Sequence, residues 1–160
     1  MNIRIGQGFD VHAWGHSASF VILGGVRIPH HRTVKSHSDG DVILHALCDA
    51  LLGAAGLGDI GEHFPDHDPQ YKNAASSTFV RNSLHMLQQR HWAITNVDIS
   101  VLAESPKLTA YKPVIRTHIA DLLEIQEQQV NIKATTMESL GTIGREEGIA
   151  AMAVVLLTND

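Results

Sequence analysis

The apolar positions change period several times along the chain, and each change marks an element. Ile3 and Ile5 alternate with polar neighbours, so residues 2–7 should be a strand. Phe20 to Leu23 and Val26 to Ile28 flank Gly24-Gly25 and read as two short strands forming a hairpin. After the polar run His37 to Asp41, residues Val42, Ala46, Leu47, Ala50, Leu51 and Ala54 recur at helical spacing. Ser38 or Asp39 should cap that helix, with Asp41 favourable in its first turn, and Gly56-Leu57-Gly58 should end it. Asp59 to Lys72 is rich in Gly, Pro, Asp and His and reads as a loop. Ser76 to Gln89 reads as a helix with Phe79, Val80, Ser83, Leu84 and Leu87 on one face. Trp92 to Leu102 alternates as a strand, and Pro106 to Ala110 reads as a connection. Pro113 to Leu123 reads as a helix with proline in its first turn. Val130 to Ala134 is a strand, Thr135 to Gly148 a loop with a helical turn near Glu138, and Ile149 to Leu157 a last apolar strand. Without repeats or linkers, this order predicts one α+β domain over residues 1–160, its helices covering one face of one sheet.

Composition narrows the function classes. A chain of 160 residues is long enough for a real core. The net charge of −5 and the lack of a basic stripe argue against nucleic-acid binding. Cys48 is the sole cysteine, lies on the apolar helix and reads as a buried structural thiol. No apolar run is long enough for a membrane span, and the N-terminus lacks the build of a signal peptide, so the expected compartment is the reducing cytoplasm. The eleven histidines are no evidence for a site by number alone. His16, His30, His31, His63, His67, His85, His91 and His118 fall mostly in polar stretches and read as solvated.

Three other residues carry candidate chemistry. On an extended backbone Asp10 and His12 share a face. His45 sits among the apolar positions of the first helix, one turn after Asp41. One carboxylate and two imidazoles are the number of ligands a catalytic zinc site uses while keeping a fourth position open. By spacing alone, Asp10 and His12 equally fit a hydrogen bond at a strand end, and His45 a core histidine bonded to a backbone carbonyl.

Several motifs together resemble the 2-C-methyl-D-erythritol 2,4-cyclodiphosphate synthase family. They are Gly8-Phe9-Asp10-Val11-His12, Gly24-Gly25-Val26-Arg27-Ile28-Pro29, His37-Ser38-Asp39-Gly40-Asp41, Gly58-Asp59-Ile60-Gly61 and Phe64-Pro65-Asp66. Pro106-Lys107-Leu108, Asn131-Ile132-Lys133-Ala134-Thr135-Thr136 and Gly144-Arg145-Glu146-Glu147-Gly148 complete them, in the family's order, from Ile3 to about Leu157. The resemblance implies a ferredoxin-like βαβ arrangement with an added β-hairpin. It also implies a reaction in which the 2-phosphate of 4-diphosphocytidyl-2-C-methyl-D-erythritol 2-phosphate attacks the β-phosphorus of the same molecule and CMP leaves. A phosphate monoester, with a second pKa near ~6, is already a nucleophile at neutral pH.

By the same resemblance, Asp10, His12 and His45 hold zinc, and Glu138 holds magnesium or manganese with the substrate phosphates. His37, Ser38 and Thr136 reach phosphate oxygens; Asp59 and Gly61, with Asp66 in the same loop, hold the methylerythritol hydroxyls. The cytosine pocket falls on Ala103 to Leu108, including Pro106, Lys107 and Leu108, and on Ala134, Thr135 and Thr136. Phe9, Arg145 and Glu147 match positions lining a cavity between subunits, where an isoprenoid diphosphate could sit. The implied assembly is a homotrimer with active sites between chains. Glu104, Ser105 and Thr142 depart from the family pattern. Without the resemblance Ser38 reads as a helix cap, Asp59 as part of a turn, Glu138 as a solvated loop acid and Lys107 as a solvated lysine. Two other functions fit part of the pattern: a zinc phosphohydrolase that would release a linear monophosphate, and a non-catalytic nucleotide or isoprenoid binding module.

Overall fold

A computed structural model describes residues 2–159; Met1 and Asp160, the outermost residues of the expected 1–160 domain, lie outside the described residues. The first strand, β1, spans Asn2–Ser17, well past the alternating Ile3 and Ile5. It continues because its antiparallel ladder with the last strand, β7 (Gly148–Asn159), runs unbroken from Asn2↔Asn159 to Ala13↔Gly148. The far end of β1 gains a second partner in β4, Arg32–Val34, a strand too short to leave a sequence pattern. Between them β2 (Phe20–Leu23) and β3 (Val26–Pro29) form the expected hairpin as a separate two-stranded sheet.

The main sheet is completed by β5 (Ala93–Leu102) and β6 (Val130–Thr135), in the order β4-β1-β7-β5-β6. β7 is antiparallel to both β1 and β5, and β5 is parallel to β6. Helices α1 (Val42–Ala55) and α3 (Ser76–Gln88) lie on the crossover from β1 to β5, and α4 (Lys112–Leu123) on that from β5 to β6. The result is a mixed α+β fold with its helices packed on a central sheet. None of the helices in the described residues is long and apolar enough to cross a membrane.

α1 is buried on nearly every side, which its apolar composition permits. Its N-cap is Asp41, not Ser38 or Asp39. The Asp41 carboxylate accepts from Leu44 N at 3.1 Å and also from Gly24 N and Gly25 N of the hairpin turn, at 2.8 and 2.6 Å. Asp39 does not cap α1; its carboxylate accepts from Ser76 N at the start of α3. Gly56 closes α1 in the left-handed conformation, at φ 71°.

Gly6 and Gly8 decide how closely α1 approaches β1. A Cβ at Gly8 would stand 1.8 Å from the Ala46 carbonyl oxygen, and one at Gly6 2.0 Å from that of Ala50. Asp10 and His12 continue the same face of β1, so the strand that touches α1 through bare backbone delivers them to His45.

Three other expectations change. The segment 59–72 contains two short helical turns, α2 (Ile60–His63) and a 3-10 turn at Pro69–Tyr71, because Asp59 and Asp68 cap them. The helical turn expected near Glu138 is α5, Gly141–Gly144, because Glu138 and Ser139 adopt left-handed backbone at φ 52° and 62°. His30 is buried, not solvated: it stacks on Trp14 and meets Arg32 O and Ser105 Oγ through its two ring nitrogens. Cys48 is the buried thiol expected: it lies beside Ser83 Oγ, and burial pushes its pKa up to about 12.

The sheet face opposite the helices carries exposed apolar side chains from two adjacent strands: Ile3, Ile5, Phe9 and Val11 from β1, Met152 and Val154 from β7.

Candidate active site

The carboxylate of Asp10 meets both imidazoles through one oxygen, Oδ2. His12 Nε2 lies 2.9 Å and His45 Nδ1 3.0 Å from it, and the two nitrogens are 3.1 Å apart. The alternation of β1 supplies the first two groups and the helical phase of α1 the third, as the sequence pattern anticipates. Three donors about 2.0–2.1 Å from one ion at tetrahedral angles would stand roughly 3.3 Å apart, so this triangle has the size of a closed-up metal site. Each group is partly buried, and they form a three-residue cluster able to hold a metal ion.

The charges fit that use. Burial opposes ionisation of Asp10, but the hydrogen bonds and charges of His12 and His45 outweigh it and hold the carboxyl down to about 2. Burial likewise disfavours the His12 cation, yet the bond and charge of Asp10 raise its pKa overall. The triad thus presents a permanent anion that favours a cation between the rings.

A cavity of about 550 Å³ opens over the triad. Asp10, His12 and His45 line it together with His37, Ser38, Gly61 and Asp66. Phe64, Tyr71 and Phe79 close its apolar wall, Phe64 and Phe79 stacked at 4.8 Å and Tyr71 edge-on to both. Ser38 does not cap α1; its hydroxyl accepts from Gly40 N and lies 3.2 Å from His45 Nε2. Asp59 is exposed outside this lining and accepts from Glu62 N as the cap of α2.

The remaining expected residues form a second group, apart from that cavity, where the parallel strands β5 and β6 end. Ala103 N donates to Thr135 O at 3.0 Å, and Glu104 Oε1 accepts from Met137 N at 2.7 Å, so the two following loops are joined. Pro106 follows a cis peptide bond, Lys107 is exposed and Leu108 is buried beneath the loop. On the other loop Ala134, Thr135, Thr136 and Glu138 are exposed, and Thr136 Oγ1 donates to Glu138 Oε1 at 2.9 Å. Arg145 lies beyond α5 and pairs with Glu147 at 2.7 Å. One chain therefore carries two separate collections of polar groups.

Sequence reasoning missed three contributors. Ser76 Oγ lies 2.8 Å from His45 Nε2 and bonds the Asp39 carboxylate. Glu104, a departure from the family pattern, ties the two loops by its carboxylate. The aromatic wall was visible only as an apolar helix face and loop aromatics. Each depends on contacts distant in sequence.

A carboxylate and two imidazoles converging at the base of a cavity, on an α+β sheet, define a metal-dependent enzyme. The profile of the YgbB family matches residues 3–158, and the chain belongs to that family. It is 57% identical over 157 residues to the 2-C-methyl-D-erythritol 2,4-cyclodiphosphate synthase of Xylella fastidiosa, covering 98% of this chain and 89% of that one. IspF of Plasmodium falciparum in a CDP complex superposes with a TM-score of 0.87 at 38% identity, over 99% of this chain and 97% of that one. The bifunctional IspDF of Campylobacter jejuni superposes with a TM-score of 0.95 at 45% identity; this chain is covered to 99% but spans 43% of that longer one.

Proposed function

We propose that this chain converts 4-diphosphocytidyl-2-C-methyl-D-erythritol 2-phosphate to 2-C-methyl-D-erythritol 2,4-cyclodiphosphate and CMP, a step of non-mevalonate isoprenoid synthesis, acting in the cytoplasm as one domain. The observation that carries the proposal is the Asp10, His12 and His45 triad beneath a cavity, in a chain matched end to end by relatives of that name. An oxygen of the 2-phosphate bonds to the β-phosphorus, the bond from that phosphorus to the bridging oxygen breaks, and the oxygen leaves with CMP.

The chain's residues serve this reaction by position and charge. Asp10, His12 and His45 fit zinc by number, chemistry and spacing, and Glu138, a lone exposed carboxylate beside Thr136, fits magnesium or manganese completed by phosphate oxygens. Bound there, such ions supply Lewis-acid stabilisation of phosphoryl oxygens. His37 and Ser38 donate to phosphate oxygens at the cavity edge. Asp59 accepts from methylerythritol hydroxyls, Gly61 allows close backbone approach, and Asp66 lies on the same rim. Lys107 and the backbone of Ala103, Pro106, Leu108, Ala134 and Thr135 receive the cytidine, and Thr136 its diphosphate. Holding both ends of a flexible substrate supplies much of the acceleration.

The nucleotide group belongs to a neighbouring chain in this reading. The chain forms a homotrimer in which the triad of one copy faces the β5 and β6 loops of the next. Two features support this: the groups are apart within one chain, and β1 and β7 expose an apolar face. Phe9, on that face, and the Arg145 and Glu147 pair would border a central cavity for an isoprenoid diphosphate.

Phosphorus NMR of the products tests the activity. The cyclic diphosphate and CMP are expected, and His45→Ala should abolish both while leaving the fold. A linear monophosphate would instead identify a hydrolase, and binding without turnover a binding module.

A further inference from the structure

We propose that Asp39 and Ser76 are positioning residues that hold the His45 imidazole in the tautomer a metal ion requires, and so set the affinity of the site. The inference rests on the reading of Asp10, His12 and His45 as metal ligands. His45 has two faces. Nδ1 looks toward Asp10 Oδ2 and His12 Nε2, at 3.0 and 3.1 Å. Nε2 looks the other way, to Ser76 Oγ at 2.8 Å.

The direction of each hydrogen bond follows from the donors available. The Asp39 carboxylate accepts only; it receives Ser76 N at 2.9 Å, Asp41 N at 3.1 Å and the Ser76 hydroxyl hydrogen. With its hydrogen committed to Asp39, Ser76 Oγ offers a lone pair to His45. Nε2 must then carry the ring proton, which leaves Nδ1 bare on the side of the triad. A carboxylate behind a ligating histidine is a common way to fix ring and tautomer, here with a hydroxyl between them. Ser76 is fully buried, whereas Ser38, the other hydroxyl near Nε2, lies farther away at 3.2 Å on the cavity side.

A purely structural role for Asp39 is separable from this one. α3 begins without a side-chain cap from Ala75, and the Asp39 bond to Ser76 N does that work. The Ser76 hydroxyl is not part of that cap. Ser76→Ala therefore keeps the cap and removes the hydroxyl that joins Asp39 to His45.

The experiment titrates metal-free protein with zinc alone in competition with a chromophoric chelator. Ser76→Ala should bind zinc about 10- to 100-fold more weakly, the usual cost of losing an outer-shell partner. Its thermal midpoint without metal should fall by only a few degrees, because Asp39 keeps the backbone donors of Ser76 and Asp41. In the zinc form, proton NMR should find a slowly exchanging imidazole N–H in wild type and a fast one in the variant. Asp39→Asn should also weaken zinc binding, and the double variant should bind no more weakly than the weaker single one, because the two residues act in series. Zinc affinity of Ser76→Ala within about twofold of wild type, or additive losses in the double variant, overturns the relay. A wild-type chain that takes up no zinc overturns the metal-site reading itself, a different and recognisable result.

Discussion

Asp10 and His12 shift one another in opposite directions, and the consequence can be measured. Burial opposes the charge on both, yet Asp10 raises the pKa of His12, and His12 together with His45 lowers that of Asp10 to about 2. In metal-free protein, Asp10→Asn should therefore move the His12 titration to lower pH, as NMR of its ring protons would show; an unchanged titration would mean the carboxylate is not the cause. The effect on stability has two signs. The raised His12 pKa adds stability that is full below 6.5 and fades as pH rises through its folded value. The lowered Asp10 pKa adds stability that is full above 3.8 and is lost as pH falls toward 2. Urea unfolding of the metal-free chain across pH should show both losses. Zinc uptake should strengthen with rising pH, since the ion competes with the proton on His12. At this scale the shared face of Asp10 and His12 and the helical position of His45 were legible because a strand's alternation and a helix's phase are local rules, while their reading as one ligand set came from the family resemblance. Ser76 was not: it reads as one more helix residue, and its link to Asp39 and His45 exists only after α3 packs on α1.

The two glycines on the inner face of β1 make the packing of elements testable. Gly8→Ala would place a methyl group 1.8 Å from Ala46 O on a backbone neither element can easily move. The expected loss is about 3 kcal/mol or more in denaturant unfolding, with weakened zinc binding because His45 retreats with α1. Gly53→Ala, on the same helix, meets nothing nearer than Gln7 O at 4.0 Å and should stabilise by roughly 0.5–1 kcal/mol. Equal effects of the two changes would contradict the close approach. Element types were largely legible, and boundaries failed where a partner decides them. β1 extends to Ser17 because β7 and β4 accompany it, and no local pattern in residues 8–17 announces that. The N-cap of α1 followed the same logic: Ser38 or Asp39 was the expected cap, and the hairpin turn selected Asp41 by offering two backbone N–H groups.

At the scale of the whole molecule, the division of the polar groups predicts shared sites. Inactive His12→Ala and Lys107→Ala chains, unfolded and refolded together in equal amounts, should recover activity at about a quarter of the sites, since an intact pair needs one half from each variant. No recovery despite demonstrated mixed trimers would place each site within one chain. Charging the open sheet face by Ile5→Glu, where the side chain is 70% exposed, should lower the mass seen by light scattering while the monomer stays folded. The mixed α+β fold class was legible in one sequence; how copies of the chain assemble leaves no spacing within it, since residues of different copies have no sequence separation.

The pairing of β1 with β7 also orders events in time. Asp10, His12 and His45 emerge in the first third of the 160-residue chain as it is synthesised. The long ladder of β1 waits for Gly148–Asn159. At about 5–20 residues per second that wait lasts roughly 7–28 s. During it, two of the three ligands ride on a strand whose long partner has not been made. The sheet that carries Asp10 and His12 toward His45 is complete only when that last strand arrives.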